Sequence, residues 1–178
     1  MQRITTLTVN TTSGQAQTQL SDLKQAMGAE LNLFGALANS PAALQGFLNF
    51  KAALDKGSLT QLHSEQLALA IAGTNGCRYC ASAHSYISDK LGLSADEIKA
   101  NLKATSADDQ TNVLLSFAKQ VIESRGSVSQ EQLQRVKSAG FSDEQLVEVI
   151  GHIALNSFTN YFNEAFDIEI DFPQVELT

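Results

Sequence analysis

The chain has 178 residues, of which 43% are hydrophobic and 17% charged, and its net charge is −7. This composition is typical of a folded globular domain and unlike that of a disordered segment. The acidic balance and the lack of any basic cluster argue against binding to a nucleic-acid backbone. No apolar run resembles a signal peptide or a membrane span, so we expect a cytoplasmic protein with no membrane partner.

Helix start and stop signals recur through the first part of the chain, whereas strand signals are almost absent. The first predicted helix ends at Gly28. In the second, Ser40 is the expected N-cap, Pro41 takes the first helical position, and Gly57 is the expected left-handed residue at the C-terminus. The third, "EQLALAIAG", is apolar enough to be buried and is stopped by the turn Asn75-Gly76.

The remaining helices are indicated by caps and by apolar periodicity. One runs from about Cys77 to just before Gly92, and "SADE" at 94–97 is a predicted capping box. Further helices end at Gly126 and Gly140, and a long helix starts at Ser142, with a predicted core face made of Leu146, Val149, Ile150, Ile153 and Phe158. The sequence therefore predicts one all-α domain of about eight helices over 1–178, with an alternating, extended tail at 167–178.

The two halves of the chain also resemble each other. "SEQLALAIAGTNGCRYCASAHSY" (64–86) aligns with "DEQLVEVIGHIALNSFTNYFNEAF" (143–166) on the shared Glu-Gln-Leu, and "DKGSLT" (55–60) matches "SRGSVS" (124–129). We therefore hypothesise two helical repeats, about 40–92 and 108–166, that form one core. Only the first half contains cysteines, which predicts one active site per chain.

The stretch "NGCRYCASAH" at 75–84 holds both cysteines of the chain, Cys77 and Cys80, together with His84. These three residues share one face of a helix, and the cysteines fall in its first turn, where free N–H groups and the helix dipole favour a thiolate. Glu65 lies in the preceding apolar helix, where a carboxylate needs a partner. We expect it to face the CxxC helix, near Cys77 or His84.

Three interpretations of this group remain open. It is a redox-active dithiol, a metal site made of Cys77, Cys80, His84 and Glu65, or a set of buried structural residues. A thioredoxin fold does not fit, because its CxxC follows a strand in a βαβ context that is missing here. Tyr86, Asn160 and Asn163 are further candidates for lining a pocket.

The pattern E-x11-C-x2-C-x3-H, formed by Glu65, Cys77, Cys80 and His84, resembles the AhpD-like alkylhydroperoxidases of the carboxymuconolactone decarboxylase family. The resemblance is strong over about 58–92, and looser similarity to peroxidase-related members extends to 39–54 and 160–173. It implies an all-helical fold, homo-oligomers (dimers, trimers or hexamers) and peroxide reduction without haem, metal or another cofactor.

The resemblance also implies roles for individual residues. By position, Cys80 resembles the peroxidatic cysteine, Cys77 the resolving cysteine, and Glu65 and His84 the proton relay. The implied partners are a hydroperoxide substrate and a dithiol, thioredoxin-like or lipoyl reductant. One departure is Tyr79, since the residue before the second cysteine is often His in the founding enzymes. Two alternatives are a redox-sensing or partner-binding module and a carboxymuconolactone decarboxylase-like enzyme.

Overall fold

A computed structural model describes residues 2–177 and shows an all-helical fold. Within this range there are nine α-helices and no strand, so the predicted class is confirmed and the predicted number of about eight is one short. The helices are α1 Gly14–Met27, α2 Asn32–Leu37, α3 Pro41–Leu54, α4 Gln61–Asn75, α5 Arg78–Lys90, α6 Ala95–Leu102, α7 Asp109–Glu123, α8 Gln130–Ser138 and α9 Asp143–Phe166.

Helix α2 is the element that the sequence did not predict. It is only six residues long and no side chain caps its N-terminus, so it has neither a start signal nor a full apolar period. Its stability comes from burial, because Leu33, Phe34, Ala36 and Leu37 are all at most 8% exposed. Tertiary packing rather than local propensity therefore makes this segment helical.

The predicted helix boundaries are met where a capping side chain is present. Ser40 accepts a hydrogen bond from Ala43 N and Pro41 opens α3, while Ser129 and Ser142 form complete capping boxes at α8 and α9. Ser94 caps α6 but forms only half of the predicted box. The carboxylate of Glu97 binds Asn101, Ser106 and the Ala107 amide instead, because the loop after α6 offers it more donors.

Gly57 was expected to adopt a left-handed conformation, and that expectation is wrong. Its φ is not positive, and α3 ends at Leu54 with a right-handed cap at Asp55. A Cβ at position 57 would lie 2.6 Å from the Glu148 carboxylate, so a larger residue there would displace this side chain. That carboxylate accepts hydrogen bonds from the amides of Ser58 and Leu59 and so joins this loop to α9.

Helix α4 lies at the centre of the molecule and packs against α5, α6, α7 and α9. Its middle residues Leu67, Leu69, Ile71 and Ala72 are fully buried, as its apolar sequence predicts. On one side lies a core with α7, α8 and the start of α9, and on the other lies a core that contains both cysteines. The central helix therefore brings Glu65 into the same region as α5.

The predicted core face of α9 is only partly correct. Leu146 and Val149 are buried, but Ile150 and Phe158 are 47% and 42% exposed. In the second half of the helix, Phe158 is displaced from the core because the buried face there is mostly polar and includes Asn156, Thr159, Asn160 and Asn163. This polar face is the part of α9 that reaches the cysteines.

The segment after α9, residues 167–177, is called the C-terminal strap below. The predicted extended tail does not pair as a strand within the described residues, and Thr178 lies outside them. Ile168 is buried in the cysteine-containing core, and the Val175 amide donates to Ser82 Oγ on α5. The strap therefore lies along the CxxC helix.

The hypothesis of two repeats stays a prediction. The segment 64–86 forms parts of two helices, α4 and α5, with a break at Gly76, whereas its counterpart is the continuous helix α9. Gly76 has a φ of +73° and closes α4, as the Asn-Gly signal predicts.

Candidate active site

Cys77 is the N-cap residue of α5 rather than a residue of its first turn. Its sulfur accepts a hydrogen bond from the Cys80 amide at 3.4 Å, as a serine or threonine oxygen would at this position. The left-handed Gly76 ends α4 immediately before it, so the short sequence Gly76-Cys77 both closes one helix and caps the next. Both cysteines are buried free thiols.

The two thiols have opposite tendencies to ionise. Hydrogen bonding from Cys77 lowers the pKa of Cys80 to about 6 against the cost of burial, and the charge of His84 and the amides of Asn163 and Asn160 lower it further. The pKa of Cys77 is raised by its hydrogen bond with Cys80 and by burial. At neutral pH Cys80 is therefore the thiolate, the nucleophilic form, and Cys77 keeps its proton.

His84 and Glu65 form a partly buried ion pair beside Cys80. His84 Nδ1 lies 2.7 Å from Glu65 Oε2, and the side chains are 22% and 18% exposed. Burial alone would lower the pKa of His84, but the charge and hydrogen bond of Glu65 and the charge of Cys80 outweigh it, so the pKa is raised. The expectation that Glu65 faces the CxxC helix is confirmed by this contact.

Burial favours the neutral form of Glu65, yet the charge and hydrogen bond of His84 outweigh it and lower the pKa of the carboxyl group. Each partner therefore favours the charged form of the other, the protonated imidazole of His84 and the ionised carboxylate of Glu65. Since Glu65 occupies one ring nitrogen, the other is the one available for proton exchange. The arrangement is a proton donor whose ring is held in one orientation by Glu65, next to the Cys80 sulfur.

Tyr79, which stands where the founding enzymes often have His, belongs to a different network. Its hydroxyl donates to Asp171 Oδ2 of the C-terminal strap at 2.6 Å. The same carboxylate oxygen accepts a hydrogen bond from the backbone N–H of Asn32. Burial and the Asp171 contact raise the pKa of Tyr79, so the phenol stays protonated. Tyr79 anchors the strap and offers no base to a proton relay.

A cavity of about 130 Å³ lies next to Cys80 and His84. Its walls are mostly apolar and come from α1, α2, α3, α5, α9 and the strap. The larger apolar and aromatic lining side chains are Met27, Leu31, Leu33, Phe34, Phe47, Tyr79, Ile87, Leu155 and Phe172, and Lys51 also lines the cavity. A small, largely apolar molecule placed there would contact the nucleophilic sulfur and the proton donor together.

Sequence reasoning found part of the surroundings of Cys80. Asn163 Nδ2 donates to Cys80 Sγ at 3.2 Å and Thr159 Oγ1 lies 4.0 Å from it, whereas Tyr86 is 45% exposed and packs on Phe172. Thr159 and Phe172 were not predicted. The signal that could have revealed Thr159 is the row of polar residues at i, i+3, i+4 and i+7 from Asn156, which places four polar side chains on one face of the helix.

Among residues 2–177, no three or more His, Cys, Asp and Glu side chains are arranged to hold a metal ion. No helix between these limits has both the length and the hydropathy needed to cross a membrane.

Comparison with known proteins supports the resemblance. The sequence profile of the carboxymuconolactone decarboxylase family matches residues 41–124, which include the CxxC motif. No curated protein sequence matches the chain.

Solved structures have the same fold at low sequence identity. A peroxidase-related protein with an alkylhydroperoxidase AhpD core from Ralstonia eutropha JMP134 has a TM-score of 0.84 and 22% identity, with 96% of this chain and 92% of that chain covered. A peroxidase-related protein from Silicibacter sp. TM1040 has a TM-score of 0.78 and 20% identity, with 86% and 83% covered. The debrominase Bmp8, as a cysteine-to-alanine variant in complex with 2,3,4-tribromopyrrole, has a TM-score of 0.73 and 20% identity, with 88% and 86% covered.

Proposed function

We propose that the chain is a member of the carboxymuconolactone decarboxylase family, whose profile matches residues 41–124. In this proposal it acts as a thiol-dependent peroxidase that reduces hydroperoxides through Cys80 and Cys77. The observation that supports this most directly is the Cys80 thiol, with its pKa lowered to about 6, beside the His84–Glu65 ion pair at the end of an apolar cavity. The nucleophilic thiolate of Cys80, the proton donor His84 and the cavity that could hold a substrate therefore lie next to one another.

In the proposed first step, the Cys80 thiolate attacks one oxygen of the hydroperoxide. The S–O bond forms as the O–O bond breaks, and the leaving alkoxide takes a proton from His84, which leaves an alcohol and a Cys80 sulfenic acid. Sulfur loses two electrons and the peroxide gains them. Glu65 holds the imidazolium in place and stabilises its charge before the transfer.

In the second step Cys77 attacks the oxidised sulfur, a disulfide forms and water leaves. An external dithiol, thioredoxin-like or lipoyl reductant would then restore both thiols by exchange. Since Cys77 and Cys80 are only 0% and 3% exposed, this exchange requires local opening of the site. We retain homo-oligomerisation and a reducing, cytoplasmic location as predictions from the sequence resemblance and composition.

The test uses Cys80→Ser and Cys77→Ser, with dithiothreitol as the reductant and cumene hydroperoxide or hydrogen peroxide as the substrate. We expect Cys80→Ser to abolish consumption of peroxide, and Cys77→Ser to accumulate a sulfenic acid that dimedone traps at residue 80. Normal consumption by Cys80→Ser would refute the assignment. Slow turnover by the unmodified protein, combined with a change of assembly on oxidation, would favour the redox-sensor alternative.

A second candidate function is reductive removal of a halogen from a small ring. The supporting observation is the apolar cavity beside a cysteine nucleophile, in a fold shared with a debrominase. Release of bromide from 2,3,4-tribromopyrrole in the presence of dithiothreitol would support this candidate if it depends on Cys80 and exceeds peroxide turnover. If no bromide is released, the dehalogenase candidate is rejected. The peroxidase proposal then remains, with the redox-sensor and decarboxylase-like functions as its alternatives.

A further inference from the structure

The polar face of α9 that covers Cys80 is unusual for a buried helix surface. Asn156, Thr159, Asn160 and Asn163 are each at most 7% exposed, and buried amides and hydroxyls lower stability unless their hydrogen bonds are made. Two of the four side chains make hydrogen bonds within α9. Asn156 donates to the His152 carbonyl, and Thr159 donates to the Asn156 carbonyl. Asn160 and Asn163 have no such local role.

The orientation of the Asn160 amide is set from outside α9. Asn75, in the last turn of α4, donates its Nδ2 to Asn160 Oδ1 at 2.9 Å. Because the carbonyl end of the amide is held by this donor, the NH₂ end must point away from Asn75. Asn160 also helps to lower the pKa of Cys80, which agrees with an NH₂ end that faces the sulfur without making a formed hydrogen bond to it.

Asn163 has the opposite arrangement. Its Nδ2 donates to Cys80 Sγ at 3.2 Å, which leaves its carbonyl oxygen free. Within the described part of the chain, Asn160 Nδ2 and Asn163 Oδ1 are both buried and have no hydrogen-bond partner. The thiolate state thus leaves one unsatisfied donor and one unsatisfied acceptor on two side chains of the same helical turn.

We propose that Asn160 and Asn163 form a receptor for the hydroxyl group of the Cys80 sulfenic acid, with Asn160 Nδ2 donating to its oxygen and Asn163 Oδ1 accepting its proton. A sulfenic acid adds one O–H group to the sulfur, and that group is both a donor and an acceptor, so it matches the unsatisfied pair. This inference rests on the proposed peroxidase function and extends it to the stabilisation of the oxidised intermediate.

The consequence is protection of the intermediate until Cys77 reaches it. A sulfenic acid held by two hydrogen bonds in a buried site is less available to a second peroxide molecule, which would oxidise it irreversibly to a sulfinic acid. Asn75 acts as a positioning residue, since its side-chain amide donates to Asn160 and to Ser157 on α9 and makes no hydrogen bond to Cys80.

The experiment uses a Cys77→Ser background, where the sulfenic acid cannot be resolved. A several-fold excess of hydrogen peroxide is added, and the lifetime of the dimedone-reactive species at residue 80, together with the appearance of the sulfinic acid, is followed by mass spectrometry. We expect Asn160→Ala to shorten this lifetime about fivefold, the loss expected for one hydrogen bond. Asn75→Ala should also shorten this lifetime. It replaces Asn160→Ala as the test if that variant does not fold, because Asn75 is only half-buried and its loss should disturb the fold less.

Val149→Ala is the matched control, since Val149 is fully buried on the same helix but packs in the other core. It should lower stability and leave the sulfenic acid lifetime unchanged. The receptor proposal is overturned if the sulfenic acid lifetime is unchanged in both asparagine variants, or if Val149→Ala shortens it equally. If the Cys77→Ser parent forms no sulfenic acid at all, the peroxidase proposal fails, and the receptor fails with it.

Discussion

His84 Nδ1 and Glu65 Oε2 are 2.7 Å apart, although the residues lie on two different helices and are 19 positions apart in the chain. The turn at Gly76 folds α5 back against α4 and makes this contact possible. The pair gives the cavity a proton donor whose charge also favours the Cys80 thiolate.

Glu65→Gln should separate the electrostatic role of the carboxylate from its size. Without the negative charge, the pKa of His84 falls and that of Cys80 rises, because the imidazolium that favours the thiolate is lost. We expect the fold to be kept and peroxide reduction at pH 7 to fall by about 10² or more, the lower end of general acid–base assistance. Ultraviolet titration of the thiolate checks the shift, and an unchanged titration would make Glu65 a purely structural residue.

The same ion pair predicts a window of pH in which it stabilises the fold. The lowered pKa of Glu65 gives a contribution that is present above its unfolded value of about 4.3 and is lost as the pH falls through the folded value. The raised pKa of His84 gives a contribution that is full below about 6.5 and is lost as the pH rises through the folded value. The difference in urea midpoint between the parent and Glu65→Gln should therefore be largest near pH 5.5 and smaller at pH 9.

Alkylation of Cys80 should depend on pH with a midpoint of about 6. A thiol with that pKa is about 91% ionised at pH 7 and about 9% at pH 5, so the rate with iodoacetamide should fall about tenfold over this range. The measurement uses the Cys77→Ser variant, in which Cys80 is the single thiol that can react. The serine hydroxyl keeps a hydrogen-bond donor near the Cys80 sulfur. A midpoint at the ordinary value, about 8.5, would contradict the thiolate assignment.

Tyr79→Phe tests the C-terminal strap as the barrier over the thiols. The change removes the hydrogen bond to Asp171 and keeps the ring that packs edge-on against Phe172. One lost hydrogen bond, about 1 kcal/mol, should raise the open population and the rate of Cys80 labelling by Ellman's reagent about fivefold. Tyr161→Phe, at a 62% exposed site on α9, is the control and should leave the rate unchanged.

Gly73→Ala should destabilise the contact between α4 and α6. A Cβ at position 73 would lie 1.8 Å from the Leu102 carbonyl oxygen, so one backbone must move. We expect a loss of about 1–3 kcal/mol in the free energy of unfolding measured with urea. In contrast, Gly46→Ala in α3 meets nothing within 4 Å and should stabilise the fold by about 0.5–1 kcal/mol. A stable Gly73→Ala variant would disprove the close helix contact.

The sequence by itself determined the features that depend on near neighbours in the chain. Helix caps such as Ser40 and Ser142, the stop at Asn75-Gly76 and the common face of Cys80 and His84 all arise within one or two turns of a helix. For that reason the all-α class and the CxxC-His group could be predicted, and the apolar sequence around Glu65 correctly indicated a charged partner.

Only the tertiary structure decided which distant residues complete the site. Asn163 reaches Cys80 across 83 positions and Asp171 reaches Tyr79 across 92, and neither pairing follows from local periodicity. The same holds for α2, which has no cap of its own and is helical because its apolar side chains are buried. Contacts of this kind depend on how amphipathic helices pack around α4, and therefore on the whole chain rather than on any short stretch of it.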